Sequence, residues 1–480
     1  MSHYNWFDVL AWWGASVDIN DEIMAEKYLS NRGHISSDSR SLVSGDIFIA
    51  LAGTRVHGVA FAPVASAVGA LVISDRAGEG VDLVAPELQA RLGDFLNWFY
   101  DSPSQALSLV GITGTNGKTS SSHYLAQWLD ALGVSVAVIG TVGNGLWGAL
   151  SSATHTTPDA PSLYRQLAQW RDANIKVVII EVSSHAIDQH RIIGLSFAVL
   201  ALTQVTRDHL DYHGSIEAYH DVKSRLFTDW HSNVQVLNQD DAMGKRLALV
   251  CRNVLVYSLQ EKTDIYCLAM AAFSEGMELA ICVAHQPWAG TLPLYGEFNI
   301  QNILCALGCF VGLGYHFEQV MPLLSKTYPV MGRMQRVTQN PVVVVDYAHT
   351  PDALAKALQA LRVHCTQGHI FVVFGAGGNR DCGKRPLMGA VAMLGADCVI
   401  VTDDNPRDEV PAQIAADIMA GINRSQGVRY IANRQLAICT ALSEASKNDM
   451  VLIAGKGHEN YQEMGGVRVP FSDITAVLEC

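Results

Sequence analysis

Continuous apolar runs separated by stretches of helical spacing dominate the chain from Leu107 onward. LSLVGIT (107–113), VSVAVIG (134–140) and KVVIIEV (176–182) are interleaved with amphipathic segments from Lys118 to Leu132 and from Ala160 to Ala173. Strands buried on both faces and joined by helices produce such runs, so the pattern predicts a doubly wound α/β domain. A second set of βα units begins near Pro341 with VVVVDYAHT and continues through HIFVVFGAGG, DCVIVTDDNP and MVLIAGKG. Each of these strands runs into polar or glycine residues at its C-terminal end, where open α/β sheets place their ligands. Before residue 106 the apolar stretches DIFIAL and ALVI are short and set among glycine-rich turns, which predicts a small separate α/β domain. Trp6, Phe7, Trp12 and Trp13 fit the apolar face of a first helix. The segment from Asn233 to Leu294 reads as shorter strands. The predicted organisation is three α/β domains, 1–106, 107–331 and 332–480, with the first break at DSPSQ (101–105).

A length of 480 residues exceeds what one core needs, which agrees with several domains. Hydrophobic residues make up 49% and charged residues 16%, against roughly 25% charged in ordinary soluble domains. The 33 Lys and Arg against 46 Asp and Glu give a net charge of -13, which argues against a broad basic face for nucleic acid. Any anion must then be held by a local site. The ten cysteines all lie from Cys251 onward, with no Cys-x-x-Cys pair, so a reduced cytoplasmic chain is expected. The N-terminus lacks the basic start and small-residue cleavage site of a signal peptide. No apolar run reaches the roughly 18 residues of a membrane span. No heptad pattern is evident, so a monomer is expected.

Gly114, Thr115, Asn116, Gly117, Lys118 and Thr119 follow an apolar strand and open a helix, the context that a phosphate-binding loop requires. Backbone N–H groups at the glycines approach phosphates, Lys118 neutralises their charge and Thr119 can hold Mg²⁺. The strict pattern wants glycine where Ile112 stands, so this is a variant loop. Glu181 ends its strand where a carboxylate can reach a metal held at a neighbouring strand end. His209 and His213 have a spacing that zinc could use, but no third and fourth ligand lie nearby in sequence, which favours Mg²⁺ or a structural role.

The ordered series GTNGKT, EVSSHAIDQHR, TRDHLDYHG with Lys223 downstream, GEFNIQN, GRMQR, VVDYAHTPDAL, GAGGNRDCGKRP, TDDNPR and AGKGHE resembles the Mur ligase family over nearly the whole chain. Within it the likeness is to ligases that add meso-2,6-diaminopimelate to UDP-N-acetylmuramoyl-L-alanyl-D-glutamate. The resemblance implies that ATP phosphorylates a carboxylate of the dipeptide and that the incoming amine displaces phosphate from the acyl phosphate. It further implies catalytic roles for Lys118, Glu181, His209 and Lys223, with Thr119, Glu181, His209 and a carbamylated Lys223 as Mg²⁺ contacts.

ATP would be bound by the loop from Gly114 to Ser120, by Asn299 and Asn302, and by Arg333 and Asp346 after domain closure. The UDP-sugar and peptide end falls to Ser37, Ser39 and Arg40, to Thr54, Arg55 and Val56, and to His155, Thr156, Thr157, Ser183, Gln189 and Arg191. Diaminopimelate falls to Asp404, Asn405, Pro406 and Arg407, together with Arg380, Gly455 and Glu459. Arg407 suits the distal carboxylate and Glu459 the distal ammonium. His155 and Gln204 stand where the family often has Asn, a change of reach that keeps hydrogen-bonding ability. Folylpolyglutamate synthase is a rival within the superfamily, and SSDSR with DNPR argues against it. A P-loop switch does not account for Arg380, Arg407 and Glu459 at the ends of a second sheet, and the intact Lys118, Glu181, His209 and Lys223 argue against a relative that only binds.

Overall fold

A computed structural model describes residues 4–15, 31, 33–53, 56–153, 155–423 and 426–480. Thr54 and Arg55 lie outside the described residues. The chain divides into two compact units, Met1–Lys118 with Leu129–Leu255, and Thr119–Trp128 with Val256–Cys480.

The first unit opens with the helix Trp6–Trp12, started by a reciprocal cap in which Asn5 accepts from the Asp8 N–H and Asp8 accepts from the Asn5 N–H. Its apolar stripe buries Trp6, Val9 and Leu10; of the aromatic residues expected on that face, Trp12 and Trp13 are partly buried against the same core, Trp13 capping the helix, and Phe7 is half-buried. A small parallel sheet follows in the order β1-β2-β3-β4, formed by Ile35–Ser36, Ile47–Ala50, Leu71–Ser74 and Leu83–Val84.

The larger sheet of this unit uses β5 (Ser108–Thr113), β6 (Val136–Ile139), β7 (Asn144–Leu146), β8 (Ala149–Ser151), β9 (Val177–Glu181), β10 (Phe197–Leu202) and β11 (Ser232–Asn238). Their order is β11-β10-β5-β9-β6-β7-β8, parallel except where β7 and β8 turn back. Strand β5 therefore sits between β9 and β10, and the loop after it is flanked by both neighbouring strand ends. One apolar core runs beneath both sheets of this unit, from Trp6 and Ile47 through Leu109 and Ile180 to Leu237.

The stretch expected to hold only short strands differs in two ways. After β11 comes a helix, Ala242–Val250, whose start is fixed by Asp241 accepting from the Met243 and Gly244 N–H groups. In the second unit, Tyr257 and Ser258 of β12 (Val254–Ser258) pair in parallel with β13 (Ile265–Phe273), which continues antiparallel into β14 (Gly276–Val283) and β15 (Gln286–Leu292).

The second unit's main sheet has the order β16-β17-β21-β18-β19-β20. Its strands are Gln335–Gln339, Val342–Asp346, Met450–Ala454, Ile370–Phe374, Cys398–Val401 and Val428–Tyr430 in that order, and only β16 runs antiparallel. Val344, Val372 and Leu452 pack on one face, and Val345, Val373 and Ile453 on the other. Both faces are covered, which is why these strands read as unbroken apolar runs. A hairpin of β22 (Tyr461–Met464) and β23 (Val467–Pro470) follows β21.

The helices Arg434–Glu444 and Asp473–Glu479 pack together and share a buried pair, Arg434 Nε and Nη2 donating to Asp473 Oδ1 and Oδ2 at 2.7 and 2.8 Å. The same packing corrects the expectation of a fully reduced chain. Cys439 and Cys480 are disulfide-bonded across a Cα–Cα distance of 5.3 Å, an approach that their separation of 41 residues does not reveal. Among the described residues, no helix is long and apolar enough to cross a membrane.

Replacing Asp473 by Ala leaves the Arg434 guanidinium buried without its carboxylate. Urea unfolding is expected to show a loss of about 3–5 kcal/mol, and a loss below about 1 kcal/mol contradicts the role given to this pair.

Candidate functional site

In the first unit the loop after β5 is held from behind by the segment that follows β10. Gly114 has φ +152°, and a Cβ there would lie 1.9 Å from Thr203 Oγ1, so only glycine fits. The Thr115 N–H donates to Gln204 O at 2.7 Å, Thr203 Oγ1 donates to Asn116 O at 2.6 Å, and Thr115 Oγ1 is 2.9 Å from the Tyr219 hydroxyl. Lys118 begins the helix Lys118–Ala131 and turns its Nζ onto Gly114 O (2.7 Å) and Thr115 O (2.9 Å).

Lys223, on the helix Ile216–Thr228, meets the same carbonyl. Its Nζ donates to Gly114 O at 3.0 Å and to Thr113 Oγ1 at 3.3 Å, and the side chain is buried. Burial, reinforced by Lys118 and opposed by Asp208, holds its pKa well below the usual lysine value. The neutral amine is thereby favoured at a position facing the phosphate loop.

Glu181 closes β9 with its carboxylate buried. Oε1 accepts from the Thr141 N–H and Oε2 from the Thr141 hydroxyl, both at 3.1 Å. A Cβ on Gly140 would lie 2.1 Å from Oε1, so that glycine makes the space the carboxylate occupies. Thr156 Oγ1 lies 3.2 Å from Thr141 Oγ1, and Thr157 Oγ1 donates to Glu181 O at 2.7 Å. Ser183 caps the helix Ser184–Asp188, and Arg191 donates from Nη1 to Thr157 O and from Nη2 to Gln189 Oε1. Thr156, Thr157, Ser183, Gln189 and Arg191 thus form one connected group around the end of β9.

His209 is exposed with φ +50°, a strained conformation for a non-glycine residue, and its ring centroid is 4.9 Å from that of His185. Among the described residues, no group of three or more His, Cys, Asp or Glu side chains is arranged to hold a metal. Of the candidate UDP contacts, Ser37 Oγ donates to Asp159 Oδ1 at 3.0 Å, tying the small sheet's loop to the cap of the helix Ala160–Asp172. Ser39 lies in the following turn, and Val56 and His155 are exposed.

In the second unit Thr119 and Ser120 are buried. Tyr124 donates to Asn299 Oδ1 at 3.0 Å, Asn299 Nδ2 donates to Tyr295 O at 2.9 Å, and Ser121 Oγ donates to Asn302 O at 3.2 Å. These bonds lock the N-terminal half of the helix Glu297–Gly312. The Arg333 guanidinium lies 4.5 Å from the Tyr347 ring centroid, with its buried Nε unpaired. Burial, reinforced by the Arg333 charge, lowers the His458 pKa to about 4, so the imidazole is neutral near pH 7. Asp346 accepts from the Met334 and Ala348 N–H groups at 2.7 and 2.8 Å. Burial raises its carboxyl pKa, opposed by Arg333 and those two bonds.

The segment Asp404 to Arg407 follows β19. Asp404, Asn405 and Pro406 are buried, while Arg407 is half-buried at φ +51° and clamped by the hairpin. Its N–H donates to Glu463 O at 3.1 Å, its carbonyl accepts from the Gly465 N–H at 2.7 Å, and Nη1 donates to Gly378 O at 2.7 Å. Arg380 is exposed on the same glycine-rich loop as Gly378. Asn405 Nδ2 donates to Glu459 Oε2 at 2.9 Å, and the Gly455 N–H donates to Asp346 O at 3.1 Å.

The Mur ligase middle domain matches residues 112–310, and the domain described as "Mur ligase, glutamate ligase domain" matches residues 332–457. Over 454 residues, 92% of this chain and 93% of the relative, the sequence is 44% identical to the UDP-N-acetylmuramoyl-L-alanyl-D-glutamate--2,6-diaminopimelate ligase of Pseudomonas aeruginosa. The chain belongs to the Mur ligase family. A relative of the same name from Neisseria meningitidis serogroup A is 44% identical over 92% of this Mur ligase and 93% of its own length. A solved structure of a ligase with that name shares 35% identity and a TM-score of 0.72, covering 100% of this chain and 98% of its own. The MurF ligase of Thermotoga maritima in complex with ADP has a TM-score of 0.63 over 93% of this chain and 96% of its own, and at 18% identity it shares the fold alone.

Sequence reasoning missed Thr141 with Gly140 around Glu181, and Thr203 with Tyr219 behind the phosphate loop. The signal in the sequence was the Gly-Thr pair, Gly140-Thr141, that ends the apolar stretch VSVAVIG.

Because the folded pKa of Lys223 lies below the unfolded value, the unfolded chain binds more protons in the window between the two. Stability of the unmodified protein in CO₂-free buffer should rise with pH through that window, by up to about 1.4 kcal/mol per pH unit. Urea titrations of wild type and Lys223→Met test this. The slope should flatten in the variant, and equal slopes contradict the assignment.

Proposed function

We propose that this Mur ligase joins meso-2,6-diaminopimelate to UDP-N-acetylmuramoyl-L-alanyl-D-glutamate at the expense of ATP, the MurE reaction of peptidoglycan precursor synthesis. The observation that carries this reading is the 44% identity over 92% of the chain to ligases named for that substrate pair. In the reaction the dipeptide carboxylate takes the γ-phosphoryl group of ATP, releasing ADP. The amine of diaminopimelate then attacks the acyl phosphate, and the tetrahedral intermediate loses phosphate and a proton to give the amide. The physical difficulty is bringing anionic groups together, so cations must be concentrated where charge develops.

Lys118 and the loop Gly114 to Ser120 hold the phosphates, with Asn299, Asn302, Arg333 and Asp346 serving the rest of the nucleotide. Lys118 is already turned onto the loop's carbonyls, where a phosphate oxygen can replace Gly114 O as its partner. The neutral amine favoured at Lys223 is the form that adds CO₂, forming an N–C bond and releasing a proton to leave a carbamate. That change converts an uncharged amine beside the loop into an anionic oxygen ligand. Glu181, His209, the Lys223 carbamate and Thr119 are then oxygen and nitrogen donors suited to Mg²⁺, which takes few protein ligands when phosphates supply the others. Bound there, Mg²⁺ supplies charge neutralisation between phosphate and carboxylate.

Residues 1–106 serve the uridine nucleotide through Ser37, Ser39, Thr54, Arg55 and Val56, and residues 107–331 serve ATP. The muramoyl-dipeptide end falls to His155, Thr156, Thr157, Ser183, Gln189 and Arg191, whose connection to β9 supports a shared site with Glu181. Residues 332–480 serve the amino acid through Arg380, Asp404 to Arg407, Gly455 and Glu459. The left-handed, doubly bonded backbone of Arg407 supports a fixed guanidinium able to take the distal carboxylate that lysine lacks.

Phosphate release should require ATP, Mg²⁺, the UDP-linked dipeptide and the amino acid together. Product mass should show meso-diaminopimelate incorporated in preference to L-lysine, and Arg407→Ala should lose that preference with a drop of at least about thirtyfold in kcat/KM for diaminopimelate. Equal use of the two amino acids by the wild type contradicts the reading.

A further inference from the structure

We propose that Lys456 is a positioning residue of the amino-acid pocket, fixing the Glu459 carboxylate and acting on the incoming amino acid through it. The inference rests on the functional reading above, which assigns Glu459 to the distal ammonium.

Lys456 follows β21 and its side chain is fully buried, at 0% exposure. Its Nζ lies 3.1 Å from Asn405 Oδ1, 3.2 Å from Glu459 Oε2 and 3.7 Å from Asp404 Oδ1. Glu459 Oε2 also accepts from Asn405 Nδ2 at 2.9 Å, and Asn405 Oδ1 also accepts from the Glu463 N–H at 3.0 Å. One ammonium, one amide and the hairpin backbone thus close a network on a single carboxylate oxygen.

Two features separate this arrangement from ordinary packing. A buried ammonium is costly to desolvate, and an apolar side chain of similar length fills the same volume without that cost. The cost is offset here by two carboxylates that would otherwise repel each other, Asp404 and Glu459, with the cation between them. The result is a Glu459 side chain oriented before substrate arrives, so little rotamer freedom is lost on binding. Asn405 falls under the same description: both ends of its amide are bonded within the protein, which makes it a second support for Glu459.

The test is steady-state kinetics on the full-length enzyme with each substrate varied in turn, for Lys456→Met, Glu459→Gln, their double variant and Lys456→Arg. Lys456→Met should raise KM for diaminopimelate on the order of thirtyfold, the effect of stripping a partner from a buried charge pair, with KM for ATP and for the UDP-dipeptide within about twofold of wild type. Lys456→Arg should recover most of the loss. The double variant should be no worse than the more damaged single variant, because both changes act through one carboxylate. If Lys456→Met does not fold, Lys456→Gln takes its place, keeping a donor without the charge.

Additive losses, or a KM that rises equally for all three substrates, overturn the proposal. If Glu459→Gln raises the amino-acid KM and Lys456→Met does not, the positioning role fails while the functional reading stands. If Glu459→Gln leaves that KM unchanged, the assignment of Glu459 fails and the proposal with it.

Discussion

Two lysine side-chain nitrogens, Lys118 Nζ and Lys223 Nζ, converge on one backbone carbonyl, Gly114 O, at 2.7 and 3.0 Å, and the chemistry proposed for the first unit depends on that convergence. The carbonyl points between Lys118 and Lys223 because Gly114 takes a backbone conformation open to glycine and because Thr203 and Gln204 brace the loop from β10. Lys118 is half-buried, and in the proposed reading phosphate replaces the loop carbonyls that its Nζ now meets. A buried Lys223 beside it is a different species, since desolvation and its neighbour both disfavour the charge. In the proposed reading, the same geometry that places Lys118 for ATP drives Lys223 toward a neutral amine.

In the proposed reading, the second unit meets a related problem with side chains instead of a glycine loop. A zwitterionic amino acid presents both signs of charge, so its pocket needs cations and anions held apart in fixed positions. Arg407 is held by the hairpin through two backbone bonds, while Asp404, Asn405 and Glu459 are tied together through Lys456. Further back, the buried Arg434–Asp473 pair donates from Arg434 Nη2 to Ala454 O at 3.0 Å, which steadies the strand end that leads into Gly455 and Lys456. Rigidity here comes from networks of paired charge, which are costly to bury unless complete.

The parts of this architecture legible in the sequence are those with local causes. Strands β5, β9, β17, β18 and β21 announced themselves because successive residues along them are buried, and the glycine-rich loop because glycine, lysine and threonine sit at a strand-to-helix turn. The helix Ala242–Val250 was overlooked although Asp241 caps it, because its apolar residues Leu247 to Val250 run consecutively, as a strand's do, and short strands flank it. What had no local cause was hidden. Thr141 reaches Glu181 across 40 residues, Tyr219 reaches Thr115 across 104, and Cys439 meets Cys480 only through helix packing. Lys456 carries no distinguishing context in AGKGHE, since its burial and its carboxylate partners are tertiary facts.

The central claim is that the surroundings of Gly114 favour CO₂ addition at Lys223. Carbon-13 NMR of the enzyme equilibrated with ¹³C-bicarbonate tests it most directly. The account predicts one slowly exchanging carbamate resonance in the wild type that is missing from Lys223→Ala, and its gradual loss on acidification as the carbamate releases CO₂. A fully active enzyme with no such resonance, or the same resonance in the Lys223→Ala variant, would contradict the account.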